Sequence, residues 1–262
     1  MKISVLIVAY NEAIDNIALL QLALRALQVG QVVICDNSEC DYGNAKRAET
    51  LNVTYVAMNG NQGLPKAYNA GVAHCTGDVV CIFDDDTAVD ASYFEAVEKA
   101  YCSADDWSIA LPIVKAGDEI LSPCHFDGYR ARPIDPSHIG RLSDLSGINS
   151  GMAVKRELYA HMQYDQDLFL DLVDHRFILD ARATGAKVII LSDTVLHQQY
   201  SLQTDSKDAA LNRFRIFSRD AVCFYSTSLR HRIYCRTMLA LRALKLSAKY
   251  HDARFLRMLT YK

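Results

Sequence analysis

The chain has 262 residues, half of them hydrophobic, and a formal net charge of −3. That length suits one large α/β domain, or one domain with an appendage. No uninterrupted apolar stretch is long enough to span a bilayer, and the eight cysteines make no CxxC pair, which argues against a zinc site and a disulfide framework and for a reducing cytosol. The charge is uneven: residues 206–262 hold thirteen Lys and Arg against three Asp and Glu, so the rest of the chain is acidic. This asymmetry suggests an acidic catalytic body over 1–205 and a basic tail over 206–262 that meets something anionic.

In chain order, residues 3–8 read as an apolar strand rather than a signal peptide, because the run is short and continues into polar Tyr10-Asn11-Glu12. Ile14, Ile17, Leu20, Leu24 and Leu27 recur at helical spacing, with Gly30 as the helix stop. Residues 31–35 form a second strand that closes on Asp36, a carboxylate placed to meet a base or ribose or to cap a helix near Tyr42. After a strand over 53–58, Gly60, Gly63 and Pro65 set up a helix N-terminus, where free N–H groups and Lys66 could face an anion. The motif is neither a Walker loop nor GxGxxG.

The run Val79-Val80-Cys81-Ile82-Phe83 is continuously apolar and feeds into Asp84-Asp85-Asp86. A continuous apolar run is the pattern of a strand buried in a parallel sheet, so the three acids sit at its carboxyl end, where open α/β sheets bind ligands. Adjacent carboxylates repel one another, and a hard cation such as Mg²⁺ or Mn²⁺ relieves that; the plain alternative is a solvated acidic turn. A helix over 92–101 and a strand over 108–114 follow. Residues 116–145, rich in Pro and Gly, read as a long loop over the substrate. A second acidic cluster spans 165–175. On a helix Asp171 and Asp174 share one face, and such a helix ends at Gly185, before a strand over 187–191. His197 follows this strand; a lone histidine is more often structural than a ligand.

The alternation predicts a doubly wound, mostly parallel, Rossmann-like sheet. The blocks 3–12, Asp36-Asn37-Ser38, Asn61-Gln62-Gly63 with Ala67-Tyr68-Asn69-Ala70-Gly71, and Phe83-Asp84-Asp85-Asp86 resemble family 2 glycosyltransferases of the GT-A fold. Residues 168–175, Gly185 and Leu196-His197-Gln198 resemble the bacterial rhamnosyltransferase-like branch; the match covers about 1–200. The resemblance implies a nucleotide-diphosphate sugar donor (UDP- or dTDP-linked), a glycan or lipid-linked glycan acceptor, a divalent cation, and surface-polysaccharide synthesis at the inner face of the cytoplasmic membrane. It implies that Ala9, Tyr10 and Glu12 line the nucleotide pocket and Asp36 faces the base. Lys66 and Asn69 would lie near the donor, Asp84 and Asp85 on the ribose side. Asp86, in the family's DXD position, would hold the metal with His197, and Asp174 would be the general base. The helix departs from the branch in that His175-Arg176 follows Asp174 and Asp180 lies one turn on, so Asp171 stands as the second choice of base.

Direct displacement assisted by one base inverts the anomeric carbon. A nucleotidyltransferase or a non-catalytic nucleotide-binding module are the competing readings. The first would show a Gly-rich basic loop where Ala9-Tyr10-Asn11-Glu12 stands, and the second would need no acid cluster opposite the metal. In the tail, Phe214, Phe217, Leu229, Ile233, Leu241, Leu244, Phe255 and Leu259 recur at helical spacing among Arg and Lys. Basic amphipathic helices of this kind lie on anionic membranes; the alternative is packing on the body or on a second subunit as a homodimer.

Overall fold

A computed structural model describes residues 1–103, 106–134, 144–197 and 206–260. The chain divides into two compact units, one of Met1–Tyr164 with Asp174–Gln199 and one of Asp165–Val173 with Tyr200–Lys262. The short acidic segment 165–173 therefore groups with the C-terminal residues.

The first unit opens with β1 (Ile3–Ala9), α1 (Ala18–Ala23), β2 (Val29–Asp36), α2 (Asn44–Leu51), β3 (Thr54–Ala57), α3 (Leu64–Val72) and β4 (Val79–Asp84). It continues with α4 (Ala91–Cys102), β5 (Ile109–Ala116), β6 (Glu119–Ser122), β7 (Cys124–Phe126), β8 (Ala131–Pro133), β9 (Leu145–Ser146) and β10 (Met152–Lys155). Then come α5 (Val173–Ala183), which starts at the unit boundary, and β11 (Val188–His197). The main sheet runs β11-β5-β10-β4-β1-β2-β3, with β6 paired on β5. β1 is parallel to β2 and β4, β2 to β3, and β5 to β11, while β10 is antiparallel to both its neighbours. This is the mostly parallel sheet the alternation predicts. β1 and β4 are buried along nearly their whole length, which is why they read as apolar runs, broken in β1 only by the buried Ser4, whose hydroxyl donates to Gln31 Oε1. Gly71 in α3 lets that helix approach β1, since a Cβ there would fall 2.3 Å from Leu6 Cδ1.

Several local expectations change. The first helical pattern becomes a 3₁₀ turn over Ile14–Asn16, an extended Ile17, and the six-residue α1. Ile14, Ile17, Leu19, Leu20 and Ala23 bury one side of the segment, whereas Leu24 and Leu27 of the expected pattern are 39% and 87% exposed. Gly30 is not a helix stop: it lies in β2, where the β1–β2 register shifts between Ile3 and Ser4. A Cβ on Gly30 would come within 3.1 Å of the Lys2 side chain, so a bulge crowded by that side chain explains the glycine. The segment 116–145 is not one loop. Its described part forms β6 and a small sheet in the order β8-β7-β9, with Pro133 at the exposed edge strand where no ladder donor is lost. Pro136 and Gly140 lie outside the described residues. The acidic stretch 165–172 is turn rather than helix, and α5 begins only at Val173, so Asp171 and Asp174 do not share a helix face.

In the second unit, α6 (Lys207–Phe224), α7 (Leu229–Tyr250) and α8 (Arg254–Arg257) form a helical cluster. Ser206 and Ser228 cap α6 and α7 by accepting from Ala209 N and His231 N. Phe214 and Phe255 are fully buried and meet edge to face, centroids 5.9 Å apart. No helix among the described residues is long and apolar enough to cross a membrane.

Candidate active site

The register of the parallel strands gathers acids at one sheet edge. Ala9 pairs with Asp36, and Val8 pairs with Asp84. Each carboxylate there has a distinct setting. Asp36 is buried; its Oδ1 accepts from Ser38 N at 3.1 Å, and its Oδ2 accepts from Asn44 Nδ2 at 2.8 Å and Tyr55 Oη at 3.0 Å. It thus ties β2 to the side chain of Asn44, the first residue of α2; Gly43 is the N-cap of that helix and no side chain caps it, so Asp36 does not fill the capping role weighed from the sequence. Asn37 holds the next loop, accepting from Gln62 N at 2.8 Å and donating to Asn61 Oδ1 at 3.1 Å, which sets Gly63 at φ +85 before α3. Lys66 stands exposed in the first turn of that helix.

Asp84 accepts from Tyr68 Oη at 3.1 Å and from Ser150 Oγ at 2.9 Å. Burial pushes its carboxyl up from the usual range, the two hydroxyls hold it down, and the charges of Asp86 and Asp174 raise it further. Asp85 accepts from the Tyr10 backbone N–H at 2.7 Å. Its carboxyl is pushed up to about 6, first by burial and then by Asp86, Asp84 and Glu12, against the Tyr10 hydrogen bond. Asp86 alone of the three is exposed. A β-bridge between Ala88 and His197 brings the exposed His197, at the end of β11, beside this turn.

Asp174 occupies the first turn of α5. Its charge bears on Asp84, Tyr68, Tyr164 and Cys124, so it faces the same region as the acidic triplet although ninety residues separate them in the chain. His175 beside it points elsewhere: its Nδ1 lies 2.8 Å from Ser146 Oγ, its ring stacks on Phe126 at 4.3 Å, and burial pulls its pKa down to about 4.

Other expected residues sit as follows. Ala9 is buried and its carbonyl accepts from Asn37 N at 2.9 Å, while Tyr10 is 46% exposed. Glu12 turns back on its own chain, accepting from Ala13 N and Asn16 Nδ2. Asn69 is a structural clamp: its amide donates to Tyr164 O and accepts from Tyr164 N, both at 2.9 Å. In the second unit Asp171 forms a two-point ion pair with Arg213, through Nη1 and, at 2.9 Å, Nη2. Burial raises the Asp171 carboxyl and Arg213 lowers it. Gln198 lies outside the described residues.

Sequence reasoning missed Tyr68, Ser150, Asn44 and Tyr55, the residues that orient Asp84 and Asp36. Nothing in the spacing of Ser150 pointed sixty-six residues back to Asp84.

A metal fits this donor set. Among the described residues no group of three or more His, Cys, Asp or Glu could hold an ion unaided. The exposed Asp86 carboxylate, two residues from the backbone bridge between Ala88 and His197, suits a hard cation that takes its other ligands from phosphate and water.

A mostly parallel sheet with one inserted antiparallel strand and acids at the carboxyl ends of its central strands defines the GT-A glycosyltransferase class. Residues 4–132 match Glycosyl transferase family 2, and the chain carries a family 2 glycosyltransferase domain. It is 25% identical over 200 residues to dTDP-rhamnosyl transferase RfbF of Shigella flexneri, covering 73% of this chain and 67% of that one. The fold resembles mannosyltransferase PcManGT of Pyrobaculum calidifontis, solved with GDP-Man and Mn²⁺, at TM-score 0.60 and 16% identity, over 100% of this chain and 81% of that one. It also resembles S. aureus TarS at TM-score 0.54 and 15% identity, over 92% of this chain; the chain spans only 42% of TarS.

Proposed function

We propose that the protein is an inverting glycosyltransferase that moves a sugar from a UDP- or dTDP-linked donor to a glycan acceptor, lipid-linked in surface-polysaccharide synthesis at the inner face of the cytoplasmic membrane. The observation that carries this is the gathering of acids at the carboxyl ends of β2 and β4, with Asp174 in the first turn of α5 near enough for its charge to raise the Asp84 carboxyl. In this reading Asp36 meets the base, Asp84 the ribose, and Asp85 keeps the Tyr10 loop closed on the nucleotide. Asp86 and His197 hold Mg²⁺ or Mn²⁺, which supplies Lewis-acid stabilisation to the diphosphate leaving group when bound. Lys66 adds positive charge at the start of α3. Asp174 takes the proton of the attacking acceptor hydroxyl, and attack from the face opposite the leaving group inverts the anomeric carbon. Asp171 is held in an ion pair with Arg213, and Asp174 is the base by its family position. The relative's dTDP-rhamnosyl activity favours a dTDP-linked deoxysugar among the donors.

The test is nucleotide release from a panel of dTDP- and UDP-sugars, with Mn²⁺, Mg²⁺ or EDTA. We expect release with one donor class and none in EDTA. Asp174→Asn should bind donor nearly as the parent does and turn over about a hundredfold or more slower. No release from any donor with either metal, or wild-type turnover in Asp174→Asn, overturns the reading.

A further inference from the structure

The apolar residues of the C-terminal helices fall into two sets. One is buried: Phe214 of α6, Phe255 of α8, and Cys235, Leu239 and Ala243 along one side of α7. The other lies in solvent on α7: Leu229 is 71% exposed, Ile233 58%, Leu241 63% and Leu244 55%. Leu229, Ile233 and Leu244 follow one another at helical spacing with Ala240 and Ala248, and Leu241 widens the row. Thr237 lies in the same row, and its hydroxyl donates to Ile233 O at 3.0 Å, so the polar group is satisfied within the helix.

Cations border this row. On the helical wheel Arg232 and Arg236 flank one side and Lys245 and Lys249 the other, all exposed. No acidic residue occurs in the twenty-two residues of α7. The inward cation Arg242 is engaged, stacked on the Phe217 ring at 3.8 Å. The exposed face is thus a strip about 29 Å long from Leu229 to Ala248, mostly apolar along its middle, with Arg230 at its N-terminal end, and positive along both margins.

We propose that this face of α7 lies flat on an anionic lipid bilayer, with Leu229, Ile233, Leu241 and Leu244 in the headgroup boundary and the flanking Arg and Lys on lipid phosphates. Charge decides the occupant. A second copy docked face to face would bring two positive margins together. A nucleic acid would satisfy the charge and leave four large aliphatic side chains in water. An anionic bilayer matches both parts of the pattern. The proposal deepens the lipid-linked reading of the acceptor, yet vesicle binding is measured without donor, so each fails on its own evidence.

The experiment is co-sedimentation of the full chain with vesicles of phosphatidylcholine alone or with one third phosphatidylglycerol. We expect binding to the anionic vesicles only, weakened severalfold by 0.5 M salt. Leu241→Gln with Leu244→Gln should weaken it about tenfold or more. Arg232→Gln, Arg236→Gln, Lys245→Gln and Lys249→Gln together should weaken it about a hundredfold or more. All six positions are solvent-exposed, and unchanged thermal melting confirms that the variants fold. Equal binding to both vesicle types, binding to neither, or parent-like binding by the Leu variant overturns the proposal. So does a lipid-free dimer in sedimentation velocity that the Leu variant converts to monomer. If vesicle binding fails while nucleotide release persists, the membrane face is wrong and the transferase reading stands.

Discussion

At the scale of single residues, the three consecutive aspartates are three different chemical groups. Asp84 is locked by Tyr68 and Ser150, Asp85 closes on the Tyr10 backbone, and Asp86 stays in solvent. Only the last can change partners without breaking a hydrogen bond already made, which is why it suits an exchangeable cation. Asp85 gives a pH signature. Its folded-state pKa of about 6 lies above the ordinary carboxylate value of 3.8. The folded state therefore holds this proton more tightly than the unfolded chain, and the group's cost to stability appears as pH rises from about 4 through about 6. Asp85→Asn should raise the thermal midpoint of the metal-free protein at pH 7.5 and have little effect near pH 4. A midpoint unchanged at pH 7.5 would show that the carboxylate is not strained there.

Elements come next. The turn that precedes α5 is held from α6: the buried Asp220 accepts from the backbone N–H groups of Phe169, Leu170 and Asp171 at 3.0, 2.8 and 2.7 Å. Leu172 follows at φ +63, a left-handed conformation rare for leucine and maintained only where surrounding contacts impose it. Asp220→Ala would leave these three backbone donors without their acceptor. We expect a loss of about 3 kcal/mol or more in stability, read from urea denaturation, with Asp220→Asn milder because its amide oxygen still accepts. Stability within experimental error of the parent in Asp220→Ala would mean that the turn holds its shape without the carboxylate.

For the whole molecule, the cysteines report how the core is distributed. All eight are free. Burial pushes the thiols of Cys35, Cys75, Cys81 and Cys124 up to about 12, whereas Cys40 and Cys102 are exposed. A thiol-reactive disulfide reagent at pH 8 should modify Cys40 and Cys102 within minutes and the five buried thiols, Cys235 included, only after denaturation. Fast modification of Cys81, mapped by peptide mass, would contradict a continuous core beneath β4.

What the sequence determined by itself was whatever rests on local periodicity: the parallel strands, the acids at the end of β4, and the helical character of the tail. A strand buried on both faces must be apolar without interruption, so its end is legible wherever the first charge falls. The tertiary structure decided everything that depends on partners distant in the chain. It put Asp174 within electrostatic reach of Asp84 and brought His197 beside the Asp86 turn. It gave Asp171 to Arg213 and Asn69 to Tyr164, whereas family position alone had put both near the substrates. It also split the apolar positions of the tail into a packed set and an exposed one. Spacing of three and four residues marks a helix face, but the side of the helix that meets protein is chosen by the neighbour it packs against.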